Sequence, residues 1–128
     1  VMHLHGELLK VRSVNDQETD ILNWSTDLNL GDVNANGNQL RPHIVWFGEA
    51  VPMIDKAVSI CETADVLMII GTSMQVYPAA SLLHYVPQGT STFFIDPKPA
   101  IDSSRNLTVI AEPATTGVIK AIDLIKLL

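Results

Sequence analysis

At 128 residues the chain fits one modest domain, long enough to bury a core without obligatory disulfides or metals. The formal charge is -6 and the eight Lys and Arg are scattered, which argues against nucleic acid as a partner, because phosphate neutralisation needs clustered cations. A basic peptide or a small nucleotide is the better fit. Apolar residues make up 47% and charged residues 17%, a balance more usual where part of the surface is buried against something else, so further chain is expected. The single cysteine, Cys61, lies in an apolar helical pattern and reads as a core residue. No run approaches the roughly 18 apolar residues of a membrane span, so no membrane association is expected; a cytoplasmic location is expected separately and does not follow from that.

Taken in chain order, residues 3–12 alternate well enough for a strand, through Leu4, Leu9 and Val11. Residues 15–38 are dominated by Asn, Asp, Gly, Ser and Thr, which build turns through side-chain to backbone bonds. Residues 44–47 form a short apolar run after Pro42 and before Gly48, consistent with another strand. From Pro52 the texture changes. Residues 53–63 have helical spacing, Val66–Ile70 is a buried strand, and Pro78 opens a helical segment at Ala79–Tyr85. Ser91–Ile95 and Leu107–Ile110 are further strands, and Thr115 or Thr116 is placed to cap a final helix with Val118, Ala121, Ile122 and Ile125 on its apolar face. Strands alternating with helices predict an α/β fold with a parallel sheet covered on both faces, the back half of a doubly wound, Rossmann-like domain. The predicted division is a loop-rich lobe at 1–50 and the sheet domain at 51–128.

Four segments carry candidate chemistry. Gly71, Thr72 and Ser73 follow a buried strand, where backbone N–H groups and small hydroxyls can meet ribose and phosphate oxygens; the same residues also make plain turns. Asp96, before Pro97 and Lys98, ends the next strand and can accept from ribose hydroxyls or cap a turn. His5, followed by Gly6, offers an imidazole of the type that serves as general base near neutral pH, or a hydrogen-bonded structural histidine. His3, two residues away, would share its face in a strand and admits a metal pair. Finally, residues 41–49 could accept an extended peptide by strand addition with Phe47 lining a slot, or could bury Trp46 and Phe47 as core.

In this order the segments HLHGELLKVRS, LRPHIVWFGEAVP, ADVLMIIGTSMQVYPAA and EPATTG resemble the C-terminal half of bacterial sirtuins, the NAD-dependent protein-lysine deacylases. The resemblance covers nearly the whole chain. It implies that His5 is the catalytic base and that Gly71, Thr72 and Ser73 contact NAD. It further implies that Asp96, Pro97 and Lys98 lie at the ribose, with Ala114 offering a backbone group on the adenine side. Val45, Phe47, Gly48 and Glu49 match the strand that pairs with the acyl-lysine peptide. The implied reaction transfers the acyl group to ADP-ribose with release of nicotinamide, NAD being consumed as co-substrate. A non-catalytic nucleotide- or peptide-binding chain, and an NAD glycohydrolase or ADP-ribosyltransferase on the same scaffold, are the alternatives.

Three departures from the family pattern stand out. Relatives carry four cysteines of a structural zinc site, but Ser13 stands where one is expected and residues 16–39 contain none, so no zinc is predicted and the lobe is expected to pack on Leu22, Trp24 and Leu28. The family's Gly-Ala-Gly phosphate loop, Gln-Asn-x-Asp segment and acyl-selecting Tyr-x-x-Arg pair would fall before Val1, which leaves acyl preference open between acetyl and succinyl or malonyl. This chain by itself is expected to be inactive. Asp96 replaces an Asn, exchanging an amide for an acceptor-only carboxylate.

Overall fold

The computed structural model describes residues 1–15 and 20–128; the part of the predicted turn-rich segment at 16–19 lies outside the described residues. The chain divides into two compact units, Val1–Met53 and Ile54–Leu128.

In the first unit, strand β1 (Gly6–Ser13) lies between the short β2 (Leu22–Asn23) and β3 (Leu40–Ile44), antiparallel to both. Val11 and Leu40 are buried at the centre of this sheet. The predicted strand at residues 3–12 starts later than its alternation suggests. Gly6 has φ +88, and its N–H bonds back to the His3 carbonyl at 3.3 Å, so residues 3–5 form a turn and His3 and His5 do not share a strand face. The predicted strand at 44–47 is displaced the other way, since pairing ends at Ile44 and the chain then turns, Glu49 N–H donating to the Trp46 carbonyl at 3.1 Å.

The expected apolar packing of Leu22, Trp24 and Leu28 does not hold the lobe. Leu22 is exposed and the other two are only half-buried. Two amide side chains, the buried Asn34 and the half-buried Gln39, do that work. Asn34 Oδ1 accepts from the Asn36 and Asn38 N–H groups at 3.0 and 2.9 Å, and its Nδ2 donates to the Asp20 carboxylate. The Gln39 side chain accepts from Gly31 N–H at 2.8 Å and donates to the carbonyls of Asn29, Asp32 and Leu40 at 3.0–3.1 Å. Short polar side chains outcompete the ladder here because each can satisfy several backbone groups at once.

The second unit begins with helix α1 (Ile54–Cys61) and builds a three-stranded parallel sheet from β4 (Val66–Ile70), β5 (Ser91–Ile95) and β6 (Leu107–Ile110), in that order, closed by helix α2 (Ala114–Ile125). β5 is central, and both its faces are buried, Phe93 and Ile95 on one and Thr92 and Phe94 on the other. That is the signature of a parallel sheet and explains its continuous apolar run. Each of these apolar side chains contributes about 1.5–3 kcal/mol by burial. This α/β arrangement is the predicted Rossmann-like sheet, with two local differences. Ala79–Tyr85 is a 3-10 helix, and residues 96–106 between β5 and β6 contain turns and no helix.

Helix α2 packs on the Phe93 and Ile95 face, with Ala121 and Ile95 fully buried and Ile125 beside them. Its start differs from the predicted threonine cap. Pro113 occupies the N-cap position without a side-chain cap bond, and Thr116 lies inside the first turn, its hydroxyl donating to the Pro113 carbonyl at 3.3 Å. The buried stripe runs through Gly117, Ala121 and Ile125, and Ile122 is exposed. A Cβ at Gly117 would meet Ile95 Cγ2 at 2.5 Å and Ile110 Cγ2 at 3.3 Å, so glycine sets how closely the helix approaches the sheet. Gly117→Val is therefore expected to destabilise the second unit by about 1–3 kcal/mol through overpacking, read as a lowered urea midpoint. An unchanged midpoint would show that the helix seat is adaptable.

Candidate functional site

In the first unit the candidate base and the candidate substrate segment meet through the backbone. Val45 N–H donates to the His5 carbonyl at 3.0 Å, and Gly6 is the register partner of Ile44, just before a bulge that separates it from the regular pairing at Val11. The approach is close enough that a Cβ on Gly6 would lie 1.9 Å from the His43 carbonyl oxygen. Gly6 thus makes room for β3. His5 itself is exposed on the turn, where an imidazole can reach a ligand.

Val45, Phe47, Gly48 and Glu49 lie beyond the end of β3. Phe47 is 96% exposed and Trp46 56%, so neither is core and Phe47 lines no slot within this unit. Glu49 is engaged by its own lobe. Its carboxylate accepts two bonds from Arg41, at 2.6 and 3.1 Å, and one from the Trp46 N–H at 3.0 Å, with Arg12 Nη2 at 3.7 Å. The Arg41 guanidinium first, then the Trp46 N–H, hold the Glu49 carboxyl below the usual carboxylate range. Sequence reasoning missed Arg12 and Arg41. The available signal was a pair of opposite charges, Arg41 and Glu49, bracketing an apolar run that ends in glycine.

His43 was also missed as a side chain of interest. Its Nδ1 is buried without a hydrogen-bond partner among the described residues, and the residue lines a cavity of about 200 Å³ with His3, Leu4, Gly6, Val45 and Pro52. Burial pushes its pKa below the ordinary 6.5, the Arg12 cation adds to this and Lys10 does so more weakly, while Glu7 pulls it upward.

In the second unit the candidate cofactor residues share one edge. Ile70, Ile95 and Ile110 are register partners across the three parallel strands. The segments that follow them, Gly71 to Ser73, Asp96 to Lys98 and the turn into Ala114, therefore leave the sheet at the same end, the end where open α/β sheets take ligands. Gly71 adopts φ +62 with open space where a Cβ would be, and Thr72 Oγ1 accepts from Met74 N–H at 3.2 Å. One oxygen of Asp96 accepts from Lys98 N–H at 2.7 Å, so the carboxylate caps its own turn, as the second sequence reading allowed. Ala114 opens α2; the Thr116 N–H donates to the Pro113 carbonyl at 3.1 Å, and Pro113 supplies no side-chain cap to the first turn. A glycine-lined opening, hydroxyls and a helix N-terminus along one sheet edge fit the sugar and phosphate oxygens of a dinucleotide. No group of three or more His, Cys, Asp or Glu among the described residues is placed to hold a metal ion.

The model of the Sir2 family matches residues 1–78. The chain belongs to the Sir2 family. An NAD-dependent protein deacylase of Bacteroides thetaiotaomicron is 48% identical over 124 residues, covering 92% of this chain and 53% of that protein. One from Helicobacter pylori is 53% identical over 98 residues, covering 77% of this chain and 42% of the relative. Among solved structures, a Sir2 homolog–NAD complex superposes with a TM-score of 0.78 at 30% identity, over 97% of this chain and 50% of its own. An ADP-ribose complex of a Sir2 homologue mutant gives 0.72 at 31% identity, over 95% of this chain and 53% of its own. The chain thus spans about half the length of the curated relatives it matches. Among the described residues no helix is long and apolar enough to cross a membrane.

For this Sir2-family chain the lowered His43 pKa sets a pH dependence. The unfolded chain binds a proton at His43 near 6.5 and the folded chain resists it, so this contribution to stability is full above that value and declines as pH falls below it. The difference in urea midpoint between about pH 7.5 and about pH 5.5 is expected to shrink in His43→Gln. An unchanged difference would remove His43 from the account.

Proposed function

We propose that the complete protein is an NAD-dependent protein-lysine deacylase that releases nicotinamide and an O-acyl-ADP-ribose. The reading is supported by family membership and by relatives named as NAD-dependent protein deacylases, 48% and 53% identical to this chain over the matched residues. The observation that carries it is the Val45 N–H bond to the His5 carbonyl, which ties the candidate base to the segment proposed to pair with an acylated lysine peptide. Bound NAD supplies the activated ribose carbon whose bond to nicotinamide is broken.

The chain's own residues take distinct parts in this proposal. His5 removes a proton from a ribose hydroxyl through its exposed imidazole. Gly71, Thr72 and Ser73 receive sugar and phosphate oxygens, Asp96 with Pro97 and Lys98 lies at a ribose, and the backbone of Ala114 meets the adenine side. Val45, Phe47 and Gly48 present the peptide-pairing edge, and Glu49 belongs to the same segment. Acetyl-lysine is the proposed substrate, with succinyl- and malonyl-lysine as the finer alternatives.

The test uses the complete protein with NAD and acetylated or succinylated peptides, following nicotinamide release. His5→Ala is expected to lose about 10²–10⁴-fold in rate, the range for removing a general base. Equal turnover by the variant would take the role from His5, and nicotinamide release without any acylated peptide would point to a glycohydrolase instead.

The lobe is further proposed to hold no zinc, on the absence of cysteine from residues 16–39 and the amide bonding by Asn34 and Gln39. Elemental analysis of the purified protein is expected to find zinc near zero per chain. Stoichiometric zinc would overturn this.

A further inference from the structure

The segment proposed to pair with peptide is held in shape by the Glu49 carboxylate, which bonds back to its own unit. Arg12 and Arg41 are register partners on β1 and β3, so two guanidinium groups leave adjacent strands side by side. Like charges directly opposite in a sheet are destabilising. Glu49 lies against both, taking two bonds from Arg41 and standing 3.7 Å from Arg12 Nη2. Arg41 Nη2 also donates to the Ile44 carbonyl at 3.3 Å, so the same guanidinium grips the last residue of β3 and the residue that closes the turn. The fork geometry of arginine makes such a grip directional.

This arrangement decides which backbone groups face outward. The Val45 N–H is taken by His5 and the Trp46 N–H by Glu49, while the Phe47 and Gly48 N–H groups have no acceptor among the described residues. Phe47 is at the same time almost fully exposed. An extended peptide adding to this edge would therefore meet N–H groups whose direction is fixed by the Glu49 carboxylate.

We propose that Glu49 is a positioning residue, which acts through Arg41 and the Trp46 N–H to orient the peptide-pairing segment and does not itself touch the peptide. The inference rests on the deacylase reading above and goes beyond it, because it moves Glu49 from the substrate to the support of the segment that receives it. A carboxylate contacting substrate would select cationic side chains near the acyl-lysine. A carboxylate holding the segment is indifferent to them.

The experiment is steady-state kinetics on the complete protein with two acetylated peptides, one with Lys and Arg beside the acetyl-lysine and one with Ala and Ser there. Glu49→Gln is expected to raise the KM of both peptides by about tenfold or more, with a much smaller change in kcat and in the KM of NAD. Arg41→Gln should reproduce the effect, and the double variant should add little to either. If Glu49→Gln fails to fold, Arg41→Lys serves, since it keeps the charge and loses the fork, and a smaller rise in KM of both peptides is expected. Loss confined to the cationic peptide would mean that Glu49 touches substrate, and overturns the proposal. So would an unchanged KM, or a fall in kcat alone that tracks the folded fraction. Absence of turnover by the unaltered protein would instead sink the deacylase reading, before any variant is compared.

Discussion

The first unit depends on the approach of Gly6 to the His43 carbonyl. A side chain at this position would collide with the β3 backbone, and the positive φ of Gly6 is itself a conformation that other residues adopt at a cost. With glycine there, β1 starts with a bulge, His5 is left on an exposed turn, and Val45 can bond to it. The position of His5 is thus a backbone property of two strands. Its exposure, and its spacing from the segment at 45–49, follow from how β1 and β3 pair.

The second unit shows the same logic with a different tool. Three parallel strands in simple order bring three connecting segments to one edge, and residues far apart in the chain become neighbours along it without any side-chain contact between them. Burial of β5 on both faces fixes the register, because a slip would move Phe93 and Ile95 off the helix and expose them. Gly117 then allows α2 to sit close enough to cover Ile95 completely, and that closeness places the uncapped start of the helix, at Ala114, beside the end of β6. Packing in the core and the chemistry available at the edge are consequences of one arrangement.

How much of this was legible in the sequence depended on burial. Val66–Ile70, Ser91–Ile95 and Leu107–Ile110 could be placed to the residue because they are apolar runs bounded by turn residues, although only β5 is buried on both faces, β4 burying Ile69 alone and β6 being half-buried. The run at 44–47 looked the same and was not, since Trp46 and Phe47 are apolar but exposed, and a carboxylate five residues beyond Ile44 ends the pairing by taking the Trp46 N–H. Leu22, Trp24 and Leu28 misled for the converse reason: in a loop-rich lobe apolar residues need not form the centre. The threonines at 115 and 116 are good capping residues, but the helix begins after Pro113, two or three residues earlier than a cap there requires. For the site, residue identity pointed to His5 and to the glycine and hydroxyl residues after β4. The long-range partners of Glu49 and the buried face of His43 depend on pairing between strands, which no local pattern encodes.

Under the zinc-free proposal, the lobe with no cysteine between residues 16 and 39 must hold its loops without the cross-link that a metal supplies. A structural zinc ties distant ligands through one centre and supplies folding energy outright. Asn34 and Gln39 instead collect nearby backbone groups, each net bond contributing about 0.5–1.5 kcal/mol, and most of their partners lie within ten residues. Such bonds order a loop locally but do little to tie it to the sheet. Longer ties come from the Val14 N–H bond to the Gln39 carbonyl and the Trp24 N–H bond to the Leu9 carbonyl, at 3.0 and 2.9 Å, and from the buried pair Val11 and Leu40. The Arg12–Glu49–Arg41 cluster adds a further long-range link within this unit, joining β1, β3 and the turn that follows. A lobe built this way should open from its loops while β1 and β3 stay paired, because the β1–β3 pairing, the Val45 bond to His5 and the Arg12–Glu49 pair span more chain than the bonds within the loops.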